Sequence, residues 1–266
     1  MSDAAFPYEP RLITIEMLGA RPFYQASVRA ALVDALLSDA ELAPEQMSKD
    51  EAGGEPFART ALSQGDWAPS QLTQFLRRTR GQPYELQLTL SKRPHLGMEF
   101  PVAKTPARNL PLVFRAGDLL AAAVQPDMGW VHVCAQLPKP PKEPDDVTQS
   151  LMDLSSDGNP VDYSEDGPGG LGMRTYLGPF VVEQVGRERL KTLPKPAQVT
   201  ELPWGGVRVD LAPEPWAASA KVLRDSWQQA MKHLRPAEFF ATLSLGPKGQ
   251  LRTQRGAHCN PGGQVR

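Results

Sequence analysis

The chain has 266 residues, of which 41% are apolar and 22% are charged. Both fractions are ordinary for globular proteins, so the chain can bury a hydrophobic core. The formal net charge of -1 argues against a general electrostatic attraction to nucleic acid or to anionic membranes. The two cysteines do not indicate a disulfide framework, because Cys134 lies in an apolar alternating pattern and Cys259 in a polar segment.

The N-terminal residues contain no basic segment followed by an apolar run, and no stretch approaches 18 uninterrupted apolar residues. We therefore expect a cytoplasmic protein in a reducing compartment, without a membrane partner.

Hydrophobic periodicity predicts the elements. Apolar residues that alternate with polar ones predict half-buried strands, and apolar residues at three- and four-residue spacing predict amphipathic helices. In chain order, these patterns predict strand 11–17, helices 25–37 and 70–78, strands 84–90 and 98–102, helix 110–124, strands 129–135 and 173–177, helix 180–193, strands 198–202 and 207–211, and helix 214–234.

The connections complete this prediction. Pro138–Pro144 is typical of a polyproline-like hinge, a short helix is predicted after Asp146, and residues 155–172 form a polar loop. Hairpins outnumber βαβ units, which favours an α+β fold with a mainly antiparallel sheet and packed amphipathic helices. We expect one domain over residues 1–245, or two similar-sized halves that meet near 103–110, followed by a polar flexible tail at 246–266.

One glycine-rich motif has the spacing of a dinucleotide-binding loop: Gly167-Pro168-Gly169-Gly170-Leu171-Gly172. Such a loop requires a strand before it and a helix N-terminus after it, because backbone amides and the helix dipole hold the pyrophosphate. Here an acidic loop precedes the motif and a predicted strand follows it. We interpret the motif as a turn and expect no nucleotide cofactor.

The residues that commonly carry catalysis are scattered. His95, His132 and His233 have no His or Cys partner at metal-ligand spacing, and the adjacent pair His258-Cys259 cannot converge on one ion. No Gly-x-Ser-x-Gly elbow and no phosphate-binding loop occur. We therefore expect no catalytic residue, no cofactor and no metal.

A nuclease would require a separate signature. Restriction-type nucleases place an acidic residue before an Asp/Glu-x-Lys sequence, so that carboxylates hold Mg²⁺ and the lysine stabilises charge at the phosphate. None of the 30 acidic residues here is followed by x-Lys. The sequence therefore argues against a nuclease.

Two features favour an interaction surface. Eight acidic residues between 143 and 173 have no Lys or Arg among them, which is typical of a solvated loop but also suits a partner with a basic cleft. Trp204 lies at the tip of a predicted Pro-Trp-Gly-Gly hairpin, where a side chain can project outward as an interface anchor. The predicted partner-binding residues are thus Glu143, Asp145, Asp146, Asp153, Asp157, Asp162, Glu165, Asp166 and Trp204.

The second half of the chain, roughly residues 110–235, resembles the bacterial immunity protein 52 family. Residues 119–131 are similar to that family's passage of a helix followed by x-Pro-Asp-Trp-Gly, with Met128 where tryptophan is usual. Residues 174–178 resemble its W-L-T-Y-L-S strand, and 193–199 with 205–214 resemble its proline-rich ending. A related type VI immunity family shares the Gly-Gly hairpin, and its L-G-G-x-x-x-L helix is approximated by 185–190.

This resemblance implies a non-catalytic immunity protein that binds and neutralises a cognate toxin, in particular a nuclease effector of a type VI or other contact-dependent secretion system. An acidic segment would suit a nuclease cleft, since such clefts are basic in order to hold phosphates. Two alternatives stay open. The chain could be a hydrolase with an unfamiliar site, using Asp162, Glu165 or His132, or an adaptor that loads a secreted effector without silencing it.

Overall fold

A computed structural model describes residues 10–19, 21, 23, 25–50, 53–64, 73–89, 94–135, 168–245 and 251–254. The described residues form two compact units. The N-terminal unit takes its residues from Leu12–Val131 and Tyr176–Gly178, and the C-terminal unit from Met1–Arg11, His132–Thr175 and Pro179–Arg266. The boundary between the two units follows Val131. The sequence-based alternative of two halves placed their boundary near 103–110.

The N-terminal unit is built on antiparallel strands. They are β1 (Pro10–Leu18), β2 (Gln46–Ser48), β3 (Glu55–Pro56), β4 (Thr73–Arg78), β5 (Tyr84–Thr89), β6 (His95–Pro101) and the start of β7 (Met128–Ala135). The strand order is β3-β2-β4-β5-β6-β1-β7, with Tyr176 and Leu177 of β8 (Arg174–Leu177) beyond β7. Every pair from β3 to β1 is antiparallel.

The register of these strands explains the core of the N-terminal unit. Met98 of β6 lies opposite both Ile15 of β1 and Leu86 of β5, so that one face of the sheet is apolar. Side chains of a strand alternate between its faces, and Ile13, Ile15 and Met17 are all buried, as the period-2 pattern predicts.

Three helices belong to this unit. They are α1 (Ala26–Leu37), α2 (Arg59–Gln64) and α3 (Leu110–Val124), and α1 packs against both of the others. The apolar stripe of α3 is buried, and the helix ends where Gln125 adopts the left-handed conformation at φ 48° before Pro126. Short 3-10 turns at Val102–Lys104 and Ala107–Asn109 lead into α3.

The C-terminal unit contains shorter elements. After Arg174 and Thr175 of β8 come α4 (Pro179–Val185), α5 (Arg187–Lys191), β9 (Gln198–Glu201), β10 (Val207–Asp210), α6 (Ala220–Leu234), a 3-10 turn at Arg235–Ala237, and the hairpin of β11 (Thr242–Leu245) and β12 (Leu251–Gln254). The strand order of its sheet is β8-β10-β9. The buried face of α6 includes Leu223, Trp227 and Leu234.

The α+β fold class is confirmed, but the structure corrects three predicted helices. Residues 73–78 form strand β4 rather than a helix, because antiparallel pairing with β2 and β5 buries Phe75 and Leu76. The stretch predicted as one helix at 180–193 is two short helices, broken where Gly186 has φ 93°. The last long helix begins at Ala220 instead of 214, since Ser219 caps it by accepting a hydrogen bond from the amide of Val222.

Several predictions fall on residues that the structure does not describe. These are the hinge at Pro138–Pro144, the helix after Asp146 and most of the loop at 155–172. Within the predicted tail, residues 251–254 form β12 and pair with β11. None of the helices in the described residues is both long and apolar enough to cross a lipid bilayer.

Candidate functional site

The β9–β10 hairpin of the C-terminal unit ends in a tight, well-defined turn. The amide of Gly205 donates to the carbonyl of Leu202 at 2.9 Å, and the amide of Leu202 donates to the carbonyl of Gly206 at 2.9 Å. Pro203 and Trp204 occupy the corner, and Gly205 follows at φ 87°. A three-residue loop that ends in a left-handed residue is a common hairpin connection, and glycine adopts that conformation without strain.

The tip of this hairpin lies beside the first residues of α4. A Cβ atom placed on Gly205 would lie 3.5 Å from Cγ of Pro179. The next residue, Phe180, has a side chain that is 51% exposed, the largest exposure among the large apolar side chains described. Trp204 is half-buried and Pro203 is exposed. We call Phe180, Pro203, Trp204 and Gly205 the hairpin-tip patch.

One arginine braces the turn from α5. The guanidinium of Arg187 donates to the carbonyl of Gly205 at 3.2 Å and also pairs with the carboxylate of Glu201 at the end of β9. Both charged side chains are about half-exposed, so the ion pair contributes at most about 1 kcal/mol to stability. Its main consequence is geometric, since it ties the hairpin tip to α5.

This arrangement has the chemistry of a binding surface. Aromatic side chains dominate the energetic hot spots of protein interfaces because they bury a large area at a small cost in conformational entropy. Trp204 lies on a braced turn, and Phe180 lies at the start of α4, next to the proline that the turn approaches. The four residues of the patch carry no titratable side chain.

Of the predicted partner-binding residues, the structure places only Trp204. Glu143, Asp145, Asp146, Asp153, Asp157, Asp162, Glu165 and Asp166 lie outside the described residues. The sequence did not point to Phe180, because it lies in a predicted helix with valines on both of the following positions. An aromatic residue directly after the proline that begins a short helix was the available signal.

Three further tryptophans lie in the part of the chain that the structure describes, and each packs within its own unit. Trp130 is 2% exposed and belongs to the core of the N-terminal unit. Trp227 is buried on α6, as its stripe position predicts. Trp216 is not on that helix; it is half-buried, and the guanidinium carbon of Arg174 lies 5.7 Å from the centre of its ring.

The described part of the glycine motif packs around Trp227. The indole Nε1 donates to the carbonyl of Leu171 at 2.9 Å, and a Cβ atom on Gly170 would lie 2.9 Å from the ring. The amide of Ala241 donates to the carbonyl of Pro168 at 2.8 Å. A strand, rather than a helix, follows at Arg174, so the motif lacks the helix N-terminus that a pyrophosphate requires.

The histidines that the structure describes do not form a catalytic group. His95 pairs with Glu16 in the N-terminal unit, and Nε2 of His233 lies 2.9 Å from the carbonyl oxygen of Arg189 in the C-terminal unit. His132 is fully buried, neither ring nitrogen has a hydrogen-bond partner among the described residues, and burial lowers its pKa to about 3. Among the described residues, no three His, Cys, Asp or Glu side chains converge as a metal site would require.

Comparison with known proteins bears on the fold. No protein-family model matches the chain, and no curated protein matches it. The solved structure of the Pseudomonas aeruginosa T6SS protein PA0821 matches with a TM-score of 0.53 at 14% sequence identity, over 86% of this chain and 76% of that chain. At this low identity the likeness concerns the fold, and the chain is therefore similar in fold to a T6SS protein.

Proposed function

We propose that the chain is a non-catalytic immunity protein that binds a T6SS effector and blocks its toxic activity. The observation that carries the proposal is the hairpin-tip patch, where half-buried Trp204 lies on a braced turn and exposed Phe180 lies at the start of α4. Exposed aromatic residues of this kind mark protein-binding sites more often than catalytic ones. The likeness in fold to PA0821 and the immunity-type motifs of residues 110–235 agree with it.

A catalytic function has less support in the described residues. His132, one of the three residues considered for hydrolysis, is fully buried and therefore inaccessible to a substrate. The other two, Asp162 and Glu165, lie outside the described residues. A general acid or base must come within hydrogen-bonding distance of its substrate, and a fully buried imidazole does not.

The acidic segment at 143–166 contributes to the same proposal through electrostatics. Its eight carboxylates would raise the association rate with a basic effector, and a nuclease cleft is basic because it holds phosphates. We accordingly propose a nuclease effector as the partner.

Co-expression tests this proposal. Each toxic effector encoded beside the gene of this chain is expressed in a sensitive host with wild-type chain, with the double variant Phe180→Ala/Trp204→Ala, or with Val222→Ala. Val222 is a matched control because it is an exposed apolar residue on α6 of the same unit. We expect the wild type and the control to protect the host and the double variant to fail.

The outcome also separates the alternatives. An adaptor would bind the effector without rescuing the host, whereas a hydrolase would protect catalytically and tolerate loss of the patch. Protection by the folded double variant equal to that of the wild type would exclude the patch as the binding surface. The absence of protection with every neighbouring effector would overturn the immunity function itself.

A further inference from the structure

The carboxylate of Asp127 lies where three segments of the N-terminal unit meet. The amide of Asp127 donates to the carbonyl of Leu18 at the end of β1, at 3.0 Å. Its carbonyl accepts from the amide of Gly178, just after β8, at 2.7 Å. These two hydrogen bonds hold the main chain of Asp127 between β1 and the residue that follows β8.

Two glycines allow this close approach. Gly19 has φ 62°, and a Cβ atom placed on it would lie 2.2 Å from Oδ2 of Asp127. A Cβ atom on Gly178 would lie 2.9 Å from the Cα atom of Asp127. The carboxylate of Asp127 therefore approaches the backbone at Gly19, and Gly178 packs against the main chain of Asp127.

The carboxylate also has no counter-charge in the part of the chain that the structure describes. Arg21 donates from its guanidinium to the side-chain oxygen of Gln125 and from its amide to the carbonyl of Val124. Burial alone raises the pKa of Asp127 to about 6. Folded proteins normally pair or hydrogen-bond such a group, because an unpaired half-buried charge is unfavourable.

We propose that Asp127 is a docking carboxylate that accepts one basic side chain, Lys or Arg, of the protein partner. Charge complementarity determines the occupant, since only a cation compensates a lone carboxylate, and a guanidinium can donate two parallel hydrogen bonds to it. The attraction is stronger here than at a fully exposed carboxylate, because solvent is partly excluded. The identity of the partner rests on the proposed function, whereas the site itself does not.

The proposal has a consequence for pH. A bound cation stabilises the ionised form of Asp127 and so lowers its pKa, and the cation in turn binds less well to the protonated form. Binding at this position should therefore weaken as the pH falls through about 6. The stability of the free protein depends on pH in the opposite direction to partner binding. Because the pKa of Asp127 is raised in the folded state, ionisation of Asp127 destabilises the fold as the pH rises through about 6.

A test without any effector uses a hexa-arginine peptide as the probe and a hexa-citrulline peptide as its neutral isostere. The titration midpoint of the Asp127 carboxyl carbon is followed by 13C NMR on the full chain. We expect a midpoint near 6 without peptide, a fall of about 1 unit or more with hexa-arginine, and no change with hexa-citrulline. The amide shifts of Gly19 and Gly178 should follow the same titration and be absent in Asp127→Asn.

A second measurement compares the stability of Asp127→Asn with that of the wild type at two pH values. Asp127→Asn should raise the urea midpoint of unfolding at pH 7.5 and leave it unchanged at pH 4, because only the ionised carboxylate is unfavourable. A midpoint near 4 in the free protein, or equal responses to the two peptides, would overturn the docking site. That result would leave the immunity function standing, whereas failure of the co-expression test would leave the docking site standing.

Discussion

Arg174 and Asp210 form an ion pair inside the C-terminal unit, with Nε of the arginine 2.5 Å from Oδ1 of the aspartate. Their side chains are 5% and 2% exposed. Arg208 donates to the second carboxylate oxygen, Oδ2, at 2.9 Å. The pair joins β8 to β10, the strand that carries the hairpin-tip patch, so its integrity bears on both stability and binding.

Removing the buried charge of Asp210 should therefore unfold the C-terminal unit more easily. Asp210→Asn removes the carboxylate charge from a buried ion pair, and we expect a loss of about 3–5 kcal/mol in the free energy of unfolding, measured by urea denaturation. Arg208→Met is the control: its side chain is more exposed, and the Arg174 pair survives, so the loss should be smaller. Equal losses for the two variants would contradict this assignment.

Substitutions in the hairpin-tip patch should lower the affinity for the effector without lowering the free energy of unfolding. Phe180→Ala and Trp204→Ala should each weaken effector binding by about 2 kcal/mol, which is roughly 30-fold in Kd at 25 °C, measured by isothermal titration calorimetry. The control Val222→Ala should stay within a factor of about 2–3, since it removes an exposed side chain away from the patch. A loss of affinity that accompanies partial unfolding in circular dichroism would count against a direct contact.

Acid should destabilise the chain through His132. Burial lowers its pKa to about 3 in the folded state, whereas an unfolded histidine titrates at about 6.5. Between these values the unfolded state binds the extra proton, so the contribution of the neutral imidazole to stability is intact above pH 6.5 and is lost as the pH falls. The slope contributed by one such proton is about 1.4 kcal/mol per pH unit.

His132→Phe should remove this slope. Both ring nitrogens lack hydrogen-bond partners, so a similar-sized apolar ring loses no hydrogen bond. We expect the urea midpoint of the variant to vary less between pH 6.5 and pH 5 than that of the wild type. Parallel curves for the two proteins would show that His132 is not the group responsible.

Replacing Gly117, in the middle of α3, with alanine should destabilise the protein, although this replacement usually stabilises a helix. A Cβ atom there would lie 2.5 Å from Cγ2 of Val131 and 2.8 Å from the hydroxyl of Tyr176, which donates to Asp118 at 2.8 Å. Glycine-to-alanine replacement normally gains about 0.5–1 kcal/mol in a helix, but overpacking costs about 1–3 kcal/mol. We therefore expect Gly117→Ala to lower the melting temperature.

A separate variant tests the hydrogen bond between Tyr176 and Asp118 without changing the packing around Gly117. Tyr176→Phe removes only the hydroxyl and should cost about 1 kcal/mol in the free energy of unfolding. If Gly117→Ala stabilises the protein while Tyr176→Phe destabilises it, the close packing described around Gly117 is incorrect.

Local sequence patterns are sufficient to predict the elements whose apolar residues face a single interface. The alternation of Ile13, Ile15 and Met17 indicates one buried face, and strand β1 buries all three. The stripe of α3 and the break at Pro126 give that helix its bounds, because burial on one side and the constraint before proline are both local effects. The hairpin at 198–211 follows from its turn residues in the same way.

The remaining features depend on long-range contacts. Residues 73–78 have apolar spacing that fits a helix, yet pairing on both sides makes them a central strand. The exposure of Phe180 depends on what packs against α4, and the missing counter-charge of Asp127 depends on segments more than 50 residues away along the chain. Such properties arise from contacts between distant residues, whereas periodicity reports only neighbours along one element.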